Sequence, residues 1–186
     1  MDAPAHAPDP DAEAERLRRA RRGDGAAFEA LYHDHARAVH ALAFRLTGNA
    51  AEAEDIVQET FLRMFGFLSG LRENTPLRPW LKRVAANLAI DRLRRQQHPG
   101  TDMALAALAD PASASPADAA DADTLLRRLP PLARTVVWLH EMEGWSHEDL
   151  GRRFGRTASW SKSLMSRSLA RLRQDLDPHG DAPHDA

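Results

Sequence analysis

Apolar residues recur every three or four positions along most of this chain, a spacing that predicts α-helices rather than strands. Four helices are predicted in the first half, over residues 13–22, 26–46, 50–67 and 79–97. Gly23 and Gly48 lie where two of these patterns stop, as glycines commonly do just beyond helix ends. The pattern therefore predicts a small domain of four helices over residues 13–97.

A second helical block follows later in the chain. Its apolar spacing predicts helices over residues 130–143, 146–154 and 158–172. Ser146 with Asp149 three residues later forms a capping-box pattern, which marks a helix start. Gly155 supplies a tight turn before the last helix, which is basic. These features together predict a helix-turn-helix domain.

The segment between the two blocks, residues 98–123, has few large apolar residues. It is dominated by Ala, Asp, Ser and Pro and contains no Lys or Arg. Such a composition cannot bury enough apolar surface to order a chain, so a flexible acidic linker is predicted. By the same argument, residues 1–12 and 174–186 are predicted to be disordered acidic tails. The fold class is thus all-α, with two small helical domains, 13–97 and 124–173.

Charge is unevenly distributed, although the net charge is only −2. Residues 16–95 hold 15 Lys and Arg against 9 Asp and Glu, and residues 124–173 hold 10 against 4. Two basic blocks separated by acidic segments favour nucleic-acid binding. The alternative is that these charges simply solvate helix surfaces.

The composition excludes several classes of protein. The chain of 186 residues has no cysteine, which excludes disulfides, thiolate zinc sites and thiol nucleophiles. It has no apolar run near the roughly 20 residues that span a bilayer, so no membrane insertion is expected. The first ten residues are acidic and Pro-rich, unlike a signal peptide. A cytoplasmic location is predicted.

The last helix of the first block carries an aromatic residue, an amide and guanidinium groups on one side. Trp80, Arg83 and Asn87 begin this series, and Asp91 and Arg94 continue it at helical spacing. Side chains of these types stack on unpaired bases and hold phosphates. The alternative for Trp80 is a core position beside an ordinary basic helix end.

The two blocks, in this order, resemble the sigma factors of bacterial RNA polymerase, in the extracytoplasmic-function (ECF) group of the sigma-70 family. The residues that carry the resemblance are 53–63 (AEDIVQETFLR), 79–95 (PWLKRVAANLAIDRLRR), 129–134, 143–150 (EGWSHEDL), Lys162-Ser163 and 171–173. The resemblance implies a region 2-like domain and a region 4-like helix-turn-helix domain. It also implies a function: binding core RNA polymerase and directing promoter-specific transcription initiation.

The resemblance further assigns surfaces. The helix at residues 50–67 would dock on the clamp coiled coil of the polymerase largest subunit, through Asp55, Ile56, Gln58, Glu59, Phe61 and Leu62. The loop at residues 69–76 would cradle a base flipped from the −10 non-template strand. That melted strand would be bound by Trp80, Arg83, Asn87, Asp91, Arg92, Arg94 and Arg95. An anti-sigma factor is implied as a further partner.

The helix-turn-helix would bind the −35 duplex, with its last helix in the major groove. Its expected DNA-binding residues are Arg153, Ser159, Trp160, Lys162, Ser163, Ser166, Arg167 and Arg171. This helix also departs from the family pattern. Ser161 and Arg156 stand where apolar residues are usual, and Leu164 and Leu169 stand at commonly basic positions. Two positions are open for Trp160: facing DNA, or filling core space lost at Ser161.

Two other functions compete with this one. A stand-alone helix-turn-helix regulator would bind duplex DNA without polymerase. A metal-dependent hydrolase would use the acidic cluster Glu52, Asp55 and Glu59, but no Glu-x-x-His pair of the kind found in helical-bundle metal sites lies in this block. We expect neither catalysis nor a cofactor or metal.

Overall fold

The computed structural model describes residues 9–72, 75–96 and 122–176. Within these ranges the chain is helical and contains no β-strand. The helices are α1 (Pro10–Arg21), α2 (Gly25–Thr47), α3 (Ala50–Phe67), α4 (Leu77–Gln96), α5 (Ala122–Arg127), α6 (Pro131–Glu141), α7 (His147–Phe154) and α8 (Ala158–Leu176). One turn of 3-10 helix, Leu68–Gly70, follows α3. The predicted all-α class is confirmed.

Helix α1 begins earlier in the chain than predicted. Residues 10–12 were expected in a disordered tail, but α1 begins at Pro10. The Asp9 side chain caps this helix by accepting a hydrogen bond from the Asp11 backbone nitrogen at 3.1 Å. A carboxylate at the cap and a proline in the first turn both favour helix initiation, which explains the earlier start.

Helix α5 lies where the linker was expected to end and was not predicted. Its residues Leu125 and Leu126 pack on the core of the helix-turn-helix, so tertiary contact stabilises a helix too short to be stable alone. Helix α8 extends to Leu176, beyond the expected tail boundary at residue 174. The rest of the predicted linker and tails, residues 1–8, 97–121 and 177–186, lies outside the described residues.

The chain divides into two compact units, Met1–Phe44 with Asn49–Leu88, and Arg45–Gly48 with Ala89–Ala186. This division differs from the predicted boundary at residue 97. The end of α2 belongs to the second unit because polar groups of later helices bind there. The Thr135 hydroxyl donates to the Leu46 carbonyl oxygen at 3.2 Å, and Arg45 Nε donates to Asp123 at 2.9 Å.

The first unit has a core of aliphatic side chains from α1 to α4. Its largest buried aliphatic side chains are Leu17, Leu31, Leu42, Ile56, Met64, Leu77 and Leu81. Those from α2, α3 and α4 fall at the apolar spacing predicted from the sequence, because a helix packed on one side buries the positions that recur every three to four residues. The stripes thereby orient the opposite, polar side of each helix outward.

The second unit has its own core around the helix-turn-helix. Leu129, Ala133, Val137, Met165 and Leu172 are buried together, and Leu125, Leu126, Leu164 and Leu169 pack against them. The last two leucines stand at positions where the resemblance stated above implies basic residues. In this structure they are partly buried and pack against the core of the unit.

The start of α7 is fixed by the predicted capping box. The Ser146 hydroxyl accepts a hydrogen bond from the Asp149 backbone nitrogen at 3.0 Å and donates to its carboxylate at 2.8 Å. These Ser146 hydrogen bonds, with a smaller contribution from Arg152, hold the pKa of the Asp149 carboxyl below its ordinary value. The cap therefore satisfies backbone groups that would otherwise be unpaired at the helix start.

We expect Ser146→Ala to lower the free energy of unfolding by about 1 kcal/mol, the usual cost of removing an N-cap side chain. Urea unfolding followed by circular dichroism measures this change. Ser146→Thr is the control and should retain most of the stability, because threonine keeps the hydroxyl that accepts from the Asp149 backbone nitrogen and donates to its carboxylate. An alanine variant as stable as the unmodified chain would contradict the role of the cap.

Candidate protein- and nucleic-acid-binding surfaces

One side of α3 is polar and exposed, opposite the side that packs in the core. Asp55 and Gln58 are exposed, Glu59 is half-buried, and Leu62 is 66% exposed. Glu59 accepts a hydrogen bond from Arg63 Nε at 2.9 Å, one helical turn further along. An acidic surface with a large apolar residue at its centre is a surface suited to a protein partner.

Two residues expected on the docking surface lie in the core: Ile56 is fully buried and Phe61 is only 4% exposed. Phe65 falls within the apolar spacing of this helix and is nevertheless 64% exposed. It falls on the same side as Leu62 and packs edge-on against Phe28, with ring centroids 5.4 Å apart. The exposed surface is therefore more apolar than its sequence indicated.

Helix α1 holds both ends of the loop at residues 69–76. Arg21 Nε donates to the carbonyl oxygen of Leu68 at 3.0 Å, just before the loop. Glu13 Oε1 accepts from the backbone nitrogen of Leu77 at 3.4 Å, just after it. Residues 73 and 74 of the loop lie outside the described residues. The sequence showed only a short basic helix here and did not indicate this support.

Glu13 is itself held by a buried histidine of α2. Its Oε2 lies 2.9 Å from Nε2 of His35, whose side chain is fully buried. Burial lowers the pKa of His35, while the neighbouring carboxylates of Glu13 and Asp34 act in the opposite direction. The contacts that hold the end of the loop therefore extend, through Glu13, to a buried residue of the first unit.

The polar side of α4 carries the residues expected to bind the melted strand. Arg83, Arg94 and Arg95 are exposed, and Trp80, Asn87, Asp91 and Arg92 are half-buried. Trp80 is thus neither fully in the core nor free of it. Its ring lies nearly parallel to that of Phe67, with centroids 6.3 Å apart and an angle of 4° between planes.

Phe67 was not among the expected binding residues. It ends α3 directly before the loop and is 53% exposed, which is unusual for so large an aromatic side chain. The signal in the sequence was its position, because it falls outside the apolar stripe of α3 yet beside a glycine-containing loop. Only the structure shows that it pairs with Trp80.

Two residues expected at different DNA elements interact within the second unit. Arg153 Nη2 donates to the Asp91 carboxylate at 3.0 Å, and Arg94 Nη1 approaches the Arg153 carbonyl oxygen at 3.3 Å. The Asp91 carboxylate therefore offsets part of the positive charge of Arg153. This ion pair was not predicted, since the sequence separates its members by 62 positions.

The outer side of α8 is rich in hydroxyl groups and bordered by cations. Ser159, Ser163 and Ser166 follow one another at helical spacing and are exposed, as are Lys162 and Arg167. Trp160 and Arg171 lie at the edge of this surface and are half-buried. Hydroxyl groups donate and accept hydrogen bonds at base edges, and cations hold phosphates.

Trp160 contacts the core at one side. Its ring packs on Phe154 of α7, with centroids 5.4 Å apart. The backbone nitrogen of Trp160 donates to the Thr157 side chain at 3.2 Å, so Thr157 caps α8. Trp160 is therefore neither wholly in the core nor wholly exposed. Its ring packs on Phe154 and remains half-exposed to solvent.

The turn between α7 and α8 brings the backbones of the two helices close together at Gly151. A Cβ atom at Gly151 would lie 2.6 Å from the carbonyl carbon of Thr157, closer than side chains and backbone approach. Gly155, with φ of 68°, ends α7 in the left-handed region that favours glycine. These two glycines allow α8 to begin directly against α7, which fixes its orientation.

We expect Gly151→Ala to destabilise the protein by about 1–3 kcal/mol, because the added methyl group has to displace backbone. Gly66→Ala in α3 is the matched control: no atom lies within 4 Å of its added Cβ. That control should gain up to about 1 kcal/mol from the higher helix propensity of alanine. Thermal unfolding followed by circular dichroism measures both, and equal midpoints for the two variants would contradict the close approach.

In the described ranges, no group of three or more His, Asp or Glu residues is arranged to hold a metal ion. Among the helices that the structure describes, none combines the length and apolar character needed to cross a membrane.

Comparison with known families identifies two regions. The family described as Sigma-70 region 2 matches residues 31–98, and the family described as Sigma-70, region 4 matches residues 120–172. These regions contain the surfaces on α3 and α4 and the helix-turn-helix, respectively.

Individual relatives match over most of the chain. The RNA polymerase sigma factor CarQ of Myxococcus xanthus is 36% identical over 168 residues, which covers 86% of this chain and 95% of CarQ. The ECF RNA polymerase sigma factor SigM of Mycobacterium tuberculosis is 33% identical over 152 residues, covering 81% and 77% of the two chains. The fold resembles that of CnrH, solved in complex with the cytosolic domain of CnrY, with 22% identity, a TM-score of 0.52, and coverage of 91% of this chain and 100% of CnrH.

Proposed function

This chain belongs to the sigma-70 family, in its ECF group, and we propose how its surfaces divide the work of a sigma factor. Its function is to bind core RNA polymerase and direct promoter-specific transcription initiation. The observation that carries this conclusion is the presence of both family regions, in order, in one chain that matches 95% of CarQ. The residue-level assignments below are our proposal.

The exposed side of α3 is proposed to dock on the clamp coiled coil of the polymerase largest subunit. Asp55, Gln58 and Glu59 would supply the polar contacts, and Leu62 and Phe65 the apolar centre. This composition is typical of a stable interface, where large apolar residues are surrounded by polar ones. Ile56 and Phe61 support that surface from the core and make no contact with the partner.

Asp55→Arg combined with Glu59→Arg should abolish binding to core polymerase, because two reversed charges would face the complementary surface. Co-migration of the purified proteins on gel filtration measures binding. The matched control is Glu29→Arg with Glu141→Arg, which changes net charge equally at exposed positions elsewhere. Binding retained by the first variant, with helicity unchanged, would remove α3 as the docking surface.

The −10 element is proposed to bind between the loop at residues 69–76 and the polar side of α4. Asn87 and Arg83 would contact the melted strand, and Arg92, Arg94 and Arg95 would hold its phosphates. We add Phe67, because its exposed ring beside Trp80 extends the aromatic surface toward the loop. Aromatic side chains stabilise unpaired bases by stacking, worth about 1–3 kcal/mol per base.

Phe67→Leu should slow promoter opening by about tenfold or more, since it keeps apolar volume but removes the ring on which a base would stack. Phe67→Tyr keeps the ring and should open promoters at nearly the normal rate. The fluorescence of 2-aminopurine in the −10 non-template strand reports opening by the holoenzyme. Leucine and tyrosine variants that open promoters at one rate would exclude base stacking on Phe67.

The −35 element is proposed to bind the outer side of α8 in the major groove. Ser159, Ser163 and Ser166 would lie nearest the base edges, and Arg167 beside them. Phosphate contacts would come from Lys162, Arg171 and Arg153, which fix register without carrying sequence information. Trp160 would contribute its exposed edge while its other side supports the turn on Phe154.

The remaining assignments concern a regulatory partner and the cellular location. We propose an anti-sigma protein as a regulatory partner, as the ECF resemblance implies; CnrH was itself solved with the cytosolic domain of another protein, CnrY. We place the chain in the cytoplasm, where polymerase and promoter DNA are. The sigma-70 family is not known as an enzyme family, and neither a stand-alone regulator nor a hydrolase is supported.

A further inference from the structure

A hydroxyl group is buried on the inner side of the recognition helix α8. Ser161 is fully buried, at a position where the resemblance to ECF sigma factors implies an apolar residue. A buried hydroxyl without a hydrogen-bond partner is costly, so such groups are nearly always paired. The partner here is Nδ1 of His147, the first residue of α7, at 3.1 Å.

The imidazole of His147 is in turn stacked on a second histidine. Its ring centroid lies 4.1 Å from that of His140 in α6, with 20° between the planes. His140 Nδ1 is 2.7 Å from the backbone carbonyl oxygen of Trp145. Since a carbonyl oxygen only accepts hydrogen bonds, His140 Nδ1 carries the proton and donates it. The orientation of both rings is thereby fixed.

These contacts connect three helices at the part of the second unit that carries the proposed −35-binding residues. They run from the buried residue Trp145, which precedes α7, through His140 and His147 to Ser161 in the first turn of α8. Ser161 directly precedes Lys162 and Ser163, two of the proposed DNA-binding residues. An apolar residue at this position would pack without direction, whereas a hydrogen bond requires one orientation.

We propose that His147 and Ser161 are positioning residues for −35 recognition, and that their hydrogen bond sets the orientation in which α8 presents Lys162 and Ser163 to duplex DNA. The inference rests on the assignment of α8 to the −35 element. Neither residue touches DNA in this scheme. The pair supplies a directional contact between α7 and the first turn of α8, and couples duplex recognition to the protonation of an imidazole.

The charged and titratable groups around His147 are His140 and Glu141 of α6 and Lys162 of α8. Burial lowers the pKa of His147 below its ordinary value of 6.5; His140 and Lys162 lower it further, and Glu141 acts in the opposite direction. The ring is therefore neutral at pH 7.5. A helix N-terminus also disfavours a cation at this position.

Acidification should weaken the discrimination between promoter sequences. Because the folded state disfavours the proton, His147 supports stability above pH 6.5 and this support is lost as the pH falls through its lowered pKa. A protonated His147 would repel His140 and Lys162 and disturb the first turn of α8. The added positive charge would attract phosphate of any sequence, so discrimination between sequences should fall while non-specific affinity does not.

The test uses holoenzyme reconstituted with core polymerase and a promoter mapped from its own transcripts. Affinity is compared between that promoter and a version with only the −35 element scrambled, at constant salt. Ser161→Thr and Ser161→Val form a matched pair, since the two side chains share one shape and only threonine keeps the hydroxyl. We expect Ser161→Val to lower the ratio of the two affinities about tenfold, because it leaves a buried hydrogen bond unmade. Ser161→Thr should keep most of the ratio of the unmodified protein, because it retains the hydroxyl group.

The same ratio is then followed from pH 7.5 to pH 5.5 for His147→Asn, whose amide reaches the Nδ1 position but does not titrate. The ratio should fall with pH in the unmodified protein and stay level in this variant. The exposed histidine variant His33→Asn is the control and should keep the unmodified pH profile. Because His147 is only half-buried, its asparagine variant also tests the inference if substitutions at the buried Ser161 prevent folding.

Two results would overturn the inference. One is equal discrimination by the threonine and valine variants; the other is a pH profile that His147→Asn leaves unchanged. If the unmodified holoenzyme does not distinguish the scrambled −35 element at all, the assignment of α8 to that element is wrong, and the inference with it. If it does distinguish them and the matched variants behave alike, only the inference is wrong.

Discussion

The close approach of α7 and α8 at Gly151 is the constraint on which the helix-turn-helix depends. Because that position has no side chain, the carbonyl carbon of Thr157 comes within 2.6 Å of the place that a Cβ atom would occupy. Three contacts follow from this geometry: Trp160 reaches Phe154, Thr157 caps α8, and Ser161 comes within hydrogen-bond distance of His147. A larger residue at position 151 would disturb all of them, because they share one short turn.

Three of the positions at which this chain departs from the pattern implied by its resemblance to ECF sigma factors lie on the inner side of α8. Leu164 and Leu169 pack against the core of the second unit, while Ser161 forms a hydrogen bond to His147. The outer side of α8 carries cations and hydroxyl groups, so most of the residues proposed to bind the −35 element are exposed although the interior departs from that pattern.

In the first unit, the loop beside the proposed −10 site is supported from outside the α3–α4 pair. Helix α1 holds the residues that flank the loop on both sides, through Arg21 and Glu13, and Glu13 is anchored at the buried His35. A loop whose ends are fixed loses less conformational entropy on binding, which favours capture of a single base. The sequence predicted a helix at this position but did not indicate its contacts with the loop.

The sequence by itself determined the helical class, most helix bounds, the capping box at Ser146, the turn at Gly155 and the family. These follow from spacing and local chemistry, which act within a few residues. Only the tertiary structure decided that Phe65 is exposed and Ile56 buried, that Phe67 pairs with Trp80, and that α5 forms at all. Each of these depends on which distant side chain lies opposite, and periodicity along one helix carries no such information.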